Sequence, residues 1–164
     1  MTPRDTQRAK VYAAEEFVRT LFDRADEHGN RTVEFFGTQL TLPPEGRFAS
    51  VSAAQRYVDD VLTHPAVRRR WPAAAPLTVR PRRGATAAHY ERADGAATVA
   101  VPDRRSSWAL RELVVLHEIA HHLTDAEPPH GSEFVATFCE LAEAVMGPEV
   151  AHVLRVVYAK EGVR

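Results

Sequence analysis

Four histidines lie close together in the segment LHEIAHHLTDAEPPHGSEF, residues 116–134: His117, His121, His122 and His130. His117 and His121 are four residues apart, which on a helix places them on one face and about 6 Å apart along the axis. Two imidazole nitrogens can then converge on one ion, at the roughly 2.0–2.1 Å that zinc prefers. Glu118 is turned about 100° around the helix from His117, so that it would lie beside the ion and hold a bound water. The spacing is that of the H-E-x-x-H motif, which is typical of metal hydrolases.

A catalytic tetrahedral zinc site needs a third protein ligand and keeps its fourth position for water. His130 is the first candidate, because the eight residues after His121 allow the chain to leave the helix, turn at two prolines and return. Gly131 would add backbone freedom there, and a helix from residue 132 would hold the ligand rigidly. Three carboxylates of that next helix are the alternative ligands: Glu133, Glu140 and Glu143.

The same residues suggest a mechanism. Three neutral imidazoles would leave the zinc ion with its full charge, and the pKa of a bound water would then fall to about 7. Glu118 would accept a proton as that water attacks a carbonyl carbon, and would deliver it to the leaving amine. Peptide or amide hydrolysis suits these groups best, and the Tyr158 hydroxyl is a candidate second donor to the oxyanion. ATVAVP, residues 97–102, is interpreted as an edge strand that would hold an extended peptide by strand addition.

The composition limits the partners. A chain of 164 residues with 45% apolar content can form one domain with a sizeable core, and its net charge of -1 argues against a generally basic nucleic-acid binder. Nucleic acid would bind, if at all, through Arg68, Arg69 and Arg70, for which a solvated surface is the simpler interpretation. The range from Glu112 to Val150 contains acidic residues and neither lysine nor arginine, which favours a bound cation.

The compartment is predicted from what the sequence lacks. The single cysteine, Cys139, cannot form an intramolecular disulfide. The polar start MTPRDTQRAK has no apolar signal-peptide core, and no apolar run approaches membrane-spanning length. We therefore expect a cytoplasmic protein without a membrane partner.

Hydrophobic periodicity and turn residues predict an α+β fold in a single domain over residues 1–164. The first half begins with an amphipathic helix over residues 5–27, which the glycine of HGN ends. Two short strands follow around Gly37. Ser52 with Gln55 three residues later predicts a capping box for a second helix.

The second half contains the strands LTVRP, TAAHYER and ATVAVP, the last two joined by a turn at Asp94-Gly95. Ser106 or Ser107 is the predicted N-cap of the HEIAHH helix, and Pro128 and Pro129 prevent that helix from continuing. Residues 132–146 form a further helix, and a last helix ends near Lys160.

The motifs LHEIAHHL and HGSEF, with a helical tail ending LRVVYAKEGV, resemble the HEXXH metallohydrolases of actinobacteria over most of the chain. More distantly, HE..H followed by HG..F is similar to the SprT-like zinc metalloproteases, over residues 113–138. The resemblance implies a zincin-like fold with a small sheet beside the active-site helix. It also implies zinc on His117, His121 and His130, with Glu118 as the catalytic base. It does not extend to the cysteine-rich DNA-binding module that SprT-like proteases often add.

Two functions are compatible with these features. The first is a zinc-dependent hydrolase that acts on a peptide or protein substrate. The alternative is a catalytically silent domain in which zinc stabilises a binding or regulatory fold. Turnover by the zinc-loaded protein separates the two.

Overall fold

The computed structural model describes residues 2–83, 87–102 and 110–164. These residues form a mixed α+β structure, as the sequence predicts. In chain order the elements are α1 (Arg8–His28), β1 (Thr32–Phe35), β2 (Thr38–Thr41), α2 (Val51–Thr63), α3 (Pro65–Arg70), β3 (Thr78–Arg82), β4 (His89–Ala93), β5 (Ala96–Pro102), α4 (Glu112–Leu123), α5 (Ser132–Met146) and α6 (Pro148–Lys160). None of the helices in the described ranges is long and apolar enough to cross a membrane.

The chain divides into two compact units. The first comprises Met1–Pro44 together with Asp125–Arg164, and the second comprises Glu45–Thr124. The single domain expected from chain length stays a prediction, and each unit is described by itself.

The first unit is built on α1, α5 and α6, with the antiparallel hairpin of β1 and β2. Each helix buries one apolar stripe because its large apolar residues recur three, four or seven positions apart. The fully buried side chains include Val11, Val18, Phe22, Phe134, Phe138, Leu141 and Leu154. Gly29 ends α1 in the left-handed conformation with φ of 63°, as the sequence predicts.

The second unit contains a three-stranded sheet in the order β3-β5-β4. β5 pairs in parallel with β3 and antiparallel with β4, and Val99 and Val101 on it are fully buried. The prediction that ATVAVP is an edge strand is therefore wrong, because hydrogen bonds on both sides make it the central strand. The turn at Asp94-Gly95 is confirmed, with φ of 51° and 76° at its two residues.

The N-terminus of α2 differs from the predicted capping box. Ser50, not Ser52, is the N-cap, and its hydroxyl accepts a hydrogen bond from the backbone N–H of Ala53 at 3.1 Å. The Gln55 side chain binds strand β3 instead of the helix end. Its Oε1 accepts from the N–H of Val79 at 2.7 Å, and its Nε2 donates to the carbonyl of Leu77 at 3.0 Å.

Helix α4, which carries HEIAHH, begins at a buried ion pair. Its N-cap is Arg111, whose side chain makes no capping hydrogen bond. The Glu45 carboxylate supplies the cap, because Oε2 accepts the N–H of Leu113 at 3.0 Å and the Nε–H of Arg111 at 2.9 Å. The predicted caps Ser106 and Ser107 lie outside the described residues.

A second carboxylate ties the same helix end to its surroundings. Glu112 Oε1 accepts the N–H of Gly46 at 2.9 Å, and Glu112 Oε2 accepts a short hydrogen bond from the hydroxyl of Tyr57. Burial and the adjacent Glu112 carboxylate raise the pKa of the Tyr57 hydroxyl. Tyr57 therefore stays protonated and keeps donating, and the start of α4 is fixed before the first histidine is reached.

Candidate metal centre

His117 and His121 face each other across one turn of α4. Their Nε2 atoms are 3.2 Å apart, and their ring centroids are 4.9 Å apart at an interplanar angle of 71°. Two nitrogens bound to one tetrahedral zinc at roughly 2.0–2.1 Å would be separated by about 3.3 Å. The separation of these two nitrogens therefore fits a shared ion without a change of the helix.

This pair lies on a helix that is largely buried. The first nine residues of α4, 112–120, are all buried, and His117 is 3% exposed while His121 is half-buried. A helix that is apolar on most of its sides belongs in a protein interior, and burying an imidazole there costs free energy unless it is bound. A bound metal ion is one partner that would offset this free-energy cost.

His130 immediately precedes α5, where Gly131 is the N-cap. The imidazole is buried and lies between the rings of Tyr12 and Phe134, with centroid distances of 5.2 Å to each. One nitrogen each of His117, His121 and His130 lies within 4.8 Å of the other two. These three histidines are a group that could hold a metal ion.

Gly131 serves a different purpose from the predicted one. Its φ of -77° is accessible to any residue, so that backbone freedom is not the reason for a glycine here. A Cβ at this position would lie 3.1 Å from the carbonyl oxygen of Pro128, to which the Gly131 N–H donates at 3.0 Å. The residue after His130 is glycine because the chain turns back closely on itself.

Glu118 follows His117 on α4 and is 7% exposed. Its position in the helix puts it about 100° around the axis from His117, on a face that the protein also covers. A carboxylate in such a place is held near the histidine pair and away from bulk water. Its role as general base stays a prediction.

His122 and Tyr90 form a second layer behind His121. His122 is buried, and its Nε2–H donates to the carbonyl of Ala75 at 2.6 Å, so that Nδ1 is left to accept from the Tyr90 hydroxyl at 3.1 Å. The Tyr90 hydroxyl also accepts from Nε of Arg92 at 3.2 Å. The Tyr90 ring stacks on that of His121, with centroids 6.3 Å apart at an interplanar angle of 14°.

Tyr90 was not among the predicted site residues. The available signal was the alternation of β4, on which His89 is exposed and Tyr90 half-buried. Alternation identifies the inward residue, but it does not reveal that the ring lies on a histidine 31 positions later in the sequence.

The three alternative ligands on α5 are not members of the histidine group. Among the described residues, the group close enough to share a metal ion comprises His117, His121 and His130 and no glutamate. Glu133 and Glu143 are exposed, and Glu143 accepts a hydrogen bond from Arg155 at 3.1 Å. These positions favour His130 over the glutamates as third ligand.

Tyr158 lies in α6, where its hydroxyl donates to Oε2 of the buried Glu15 at 2.9 Å. Burial and the neighbouring Glu15 carboxylate raise the pKa of this hydroxyl well above its usual value. Its one proton is thus used within the first unit, and donation to an oxyanion would require that bond to be exchanged. The oxyanion role of Tyr158 stays a prediction.

The basic residues Arg68, Arg69 and Arg70 form the last turn of the short helix α3 and are exposed. Cationic side chains are favourable at a helix C-terminus, which gives them a role without a ligand. The guanidinium of Arg70 lies 5.1 Å from the ring centroid of Trp71. A nucleic-acid contact through these arginines stays a prediction that the simpler interpretation does not need.

Comparisons with models of protein families, with curated proteins and with solved structures find no match for this chain. The resemblance to HEXXH metallohydrolases and to SprT-like proteases therefore stays a prediction from the motifs themselves. The function is argued below from the geometry of the three histidines and their neighbours.

Proposed function

We propose that this chain is a zinc-dependent hydrolase of peptide or amide bonds, with a zincin-like fold. His117, His121 and His130 would hold the metal, and Glu118 would act as the general base. A peptide or protein is the expected substrate, and a cytoplasmic setting is part of the same proposal.

The observation that supports the proposal is a group of three histidines, each with a ring nitrogen within 4.8 Å of the other two. The 3.2 Å separation of the Nε2 atoms of His117 and His121 is close to the value that a tetrahedral zinc requires, and a nitrogen of His130 lies within 4.8 Å of both. Three nitrogen ligands from histidine are a known ligand set for catalytic zinc. The small sheet whose strand β4 contacts α4 supports the zincin-like assignment.

The chemistry divides between the metal and the protein. A zinc ion held by three neutral imidazoles would act as a Lewis acid that polarises a carbonyl group and activates water. Glu118 would take a proton from the attacking water and pass it to the leaving amine, which makes a poor leaving group unless protonated. The buried apolar faces of α4 would keep bulk water away, so that charges in the site interact strongly.

The substitution Glu118→Gln tests the proposal. The amide keeps the size of the carboxylate but cannot accept the proton, and loss of a positioned general base costs about 10²–10⁴ in rate. We expect zinc content and melting temperature near those of the wild type, while cleavage of a proteome-derived peptide library nearly disappears. Glu16→Gln, an exposed change of the same charge on α1, serves as the matched control and should leave cleavage intact.

The results separate the two functions compatible with the sequence. Zinc binding without any cleavage by the wild type would favour the silent, zinc-stabilised binding or regulatory domain. Loss of zinc in Glu118→Gln would make Glu118 a ligand, which contradicts its assigned role. Elemental analysis of protein purified without added metal tests both functions. If it finds no stoichiometric transition metal, neither the hydrolase nor the zinc-stabilised domain is correct.

A further inference from the structure

The His130 imidazole is held by a carboxylate from the beginning of the chain. Its Nδ1 lies 2.8 Å from Oδ2 of Asp5, and the two side chains are 7% and 23% exposed. The residues are 125 positions apart in the sequence, so that the contact exists only in the folded first unit. A hydrogen bond to an ionised carboxylate is among the stronger ones, and partial burial protects this one from water.

This contact sets the tautomer of a neutral His130. An ionised carboxylate can only accept, so that Nδ1 must carry the hydrogen. The lone pair of the ring is then on Nε2, the nitrogen on the opposite side from Asp5. A histidine that binds a metal through one nitrogen usually donates from the other to a carboxylate or carbonyl group, which orients the ring and increases its basicity.

The backbone of His130 is held by the same segment. The Gln7 side chain donates from Nε2 to the carbonyl of His130 at 2.7 Å and to that of Arg164 at 2.9 Å. The N–H of Arg164 in turn donates to Oε1 of Gln7 at 3.1 Å. Asp5 thus fixes the ring, while Gln7 fixes the main chain of the same residue.

We propose that Asp5 is a positioning residue of the metal centre, which holds His130 as the Nδ1–H tautomer and presents its Nε2 to the ion. The inference rests on the proposed function, since it requires His130 to be a ligand. Asp5 itself touches neither metal nor substrate in this assignment. Neighbours of ligands that act in this way typically contribute about 10–100-fold to metal affinity.

The first test is zinc affinity, measured by competition with a chromophoric chelator. Asp5→Ala should weaken zinc binding about 10–100-fold. Asp5→Asn should lose less, because its amide oxygen can still accept from Nδ1–H. The matched control is Glu16→Ala, which removes the same charge from an exposed position of α1 and should leave the affinity unchanged.

The second test needs no metal. Long-range proton–nitrogen NMR spectra of the zinc-free protein, recorded at about pH 8 where an ordinary histidine is neutral, report which ring nitrogen carries hydrogen. We expect His130 as Nδ1–H in the wild type and in Asp5→Asn, and a shift toward Nε2–H in Asp5→Ala. A merely structural role for Asp5 would lower stability without moving the tautomer.

Failure of the inference is distinguishable from failure of the proposed function. His117→Ala, which removes an assigned ligand, is measured in parallel. If His117→Ala loses zinc while the zinc affinity of Asp5→Ala is unchanged, Asp5 has no positioning role, and the hydrolase proposal is unaffected. A wild type that binds no zinc overturns both, and a wild-type His130 found as Nε2–H overturns the inference whatever the zinc result.

Discussion

Replacing Glu45 with alanine should destabilise the protein strongly, because it leaves Arg111 buried without its main counter-charge. The two side chains are 0% and 4% exposed, and Glu45 accepts from Arg111 at both of its oxygens. Removing one partner of such a pair costs about 3–5 kcal/mol, since the remaining charge has been taken out of water. The same substitution removes the cap on the N–H of Leu113, which is worth about 1 kcal/mol.

Together the two effects predict a loss of about 4–6 kcal/mol, which is readily measured. For a chain of 164 residues the melting temperature falls by about 2–4 °C per kcal/mol, which gives roughly 8–24 °C. Differential scanning calorimetry and urea unfolding at a constant m-value provide the two measurements. Zinc retention should fall as well, because the affected helix end lies six residues before His117.

The control is an ion pair of the same kind on the surface of the same unit. Glu91 accepts from Arg80 at 3.2 Å, but these side chains are 45% and 47% exposed, so that Glu91→Ala should cost about 0–1 kcal/mol. Glu45→Leu combined with Arg111→Met should recover much of the loss, because neither charge of the pair is then left buried without its partner. If Glu45→Ala melts within a few degrees of Glu91→Ala, the assignment of a buried, capping ion pair is incorrect.

Two further predictions concern the third ligand and the cysteine. His130→Ala should lower the zinc affinity by orders of magnitude, whereas Glu143→Ala should not, and competition with a chelator measures both. The opposite pattern would assign the third ligand to α5. Cys139 is buried, and desolvation raises the pKa of its thiol to about 12 against the opposing effect of the Arg155 charge. At about pH 8 it is therefore roughly a thousandfold less ionised than a thiol at the ordinary 9.0, and Ellman's reagent should react with it only on unfolding; rapid reaction with the native protein would contradict its burial.

The metal-ligand candidates could be predicted from the sequence because local rules determine their arrangement. A four-residue spacing on a helix brings His117 and His121 together whatever the rest of the fold does. His130 could be selected because its distance along the chain and the following helix limit where it can go. Asp5, Tyr90 and Glu45 could not, because each meets its partner only through long-range packing that leaves no periodic signal.

The central position of ATVAVP in the sheet could have been predicted from two features of the sequence. Strand β3 contains Pro81, and proline within a sheet is confined to edges and bulges. The segment ATVAVP is almost continuously apolar, which is typical of a strand covered on both faces. Together these features favour β5 as the central strand, as observed.

The end of α1 was predicted correctly and the N-cap of α2 wrongly, and the start of α4 depends on a residue far away in the sequence. Gly29 ends α1 through its own backbone conformation, which sequence shows directly. Ser50 and Ser52 are both suitable caps for α2, and only the backbone path selects Ser50. The start of α4 depends on Glu45, a residue 68 positions from the N–H that it accepts.

The Gln55 side chain has a consequence for how copies of this protein meet. Its amide accepts a hydrogen bond from the N–H of Val79 and donates one to the carbonyl of Leu77. It therefore makes the hydrogen bonds that a peptide group of a neighbouring strand would make along β3. A sheet margin whose hydrogen-bonding groups are already taken cannot recruit the same groups from another molecule. The chain thus carries its own protection against edge-to-edge polymerisation on that side, in one side chain of a helix.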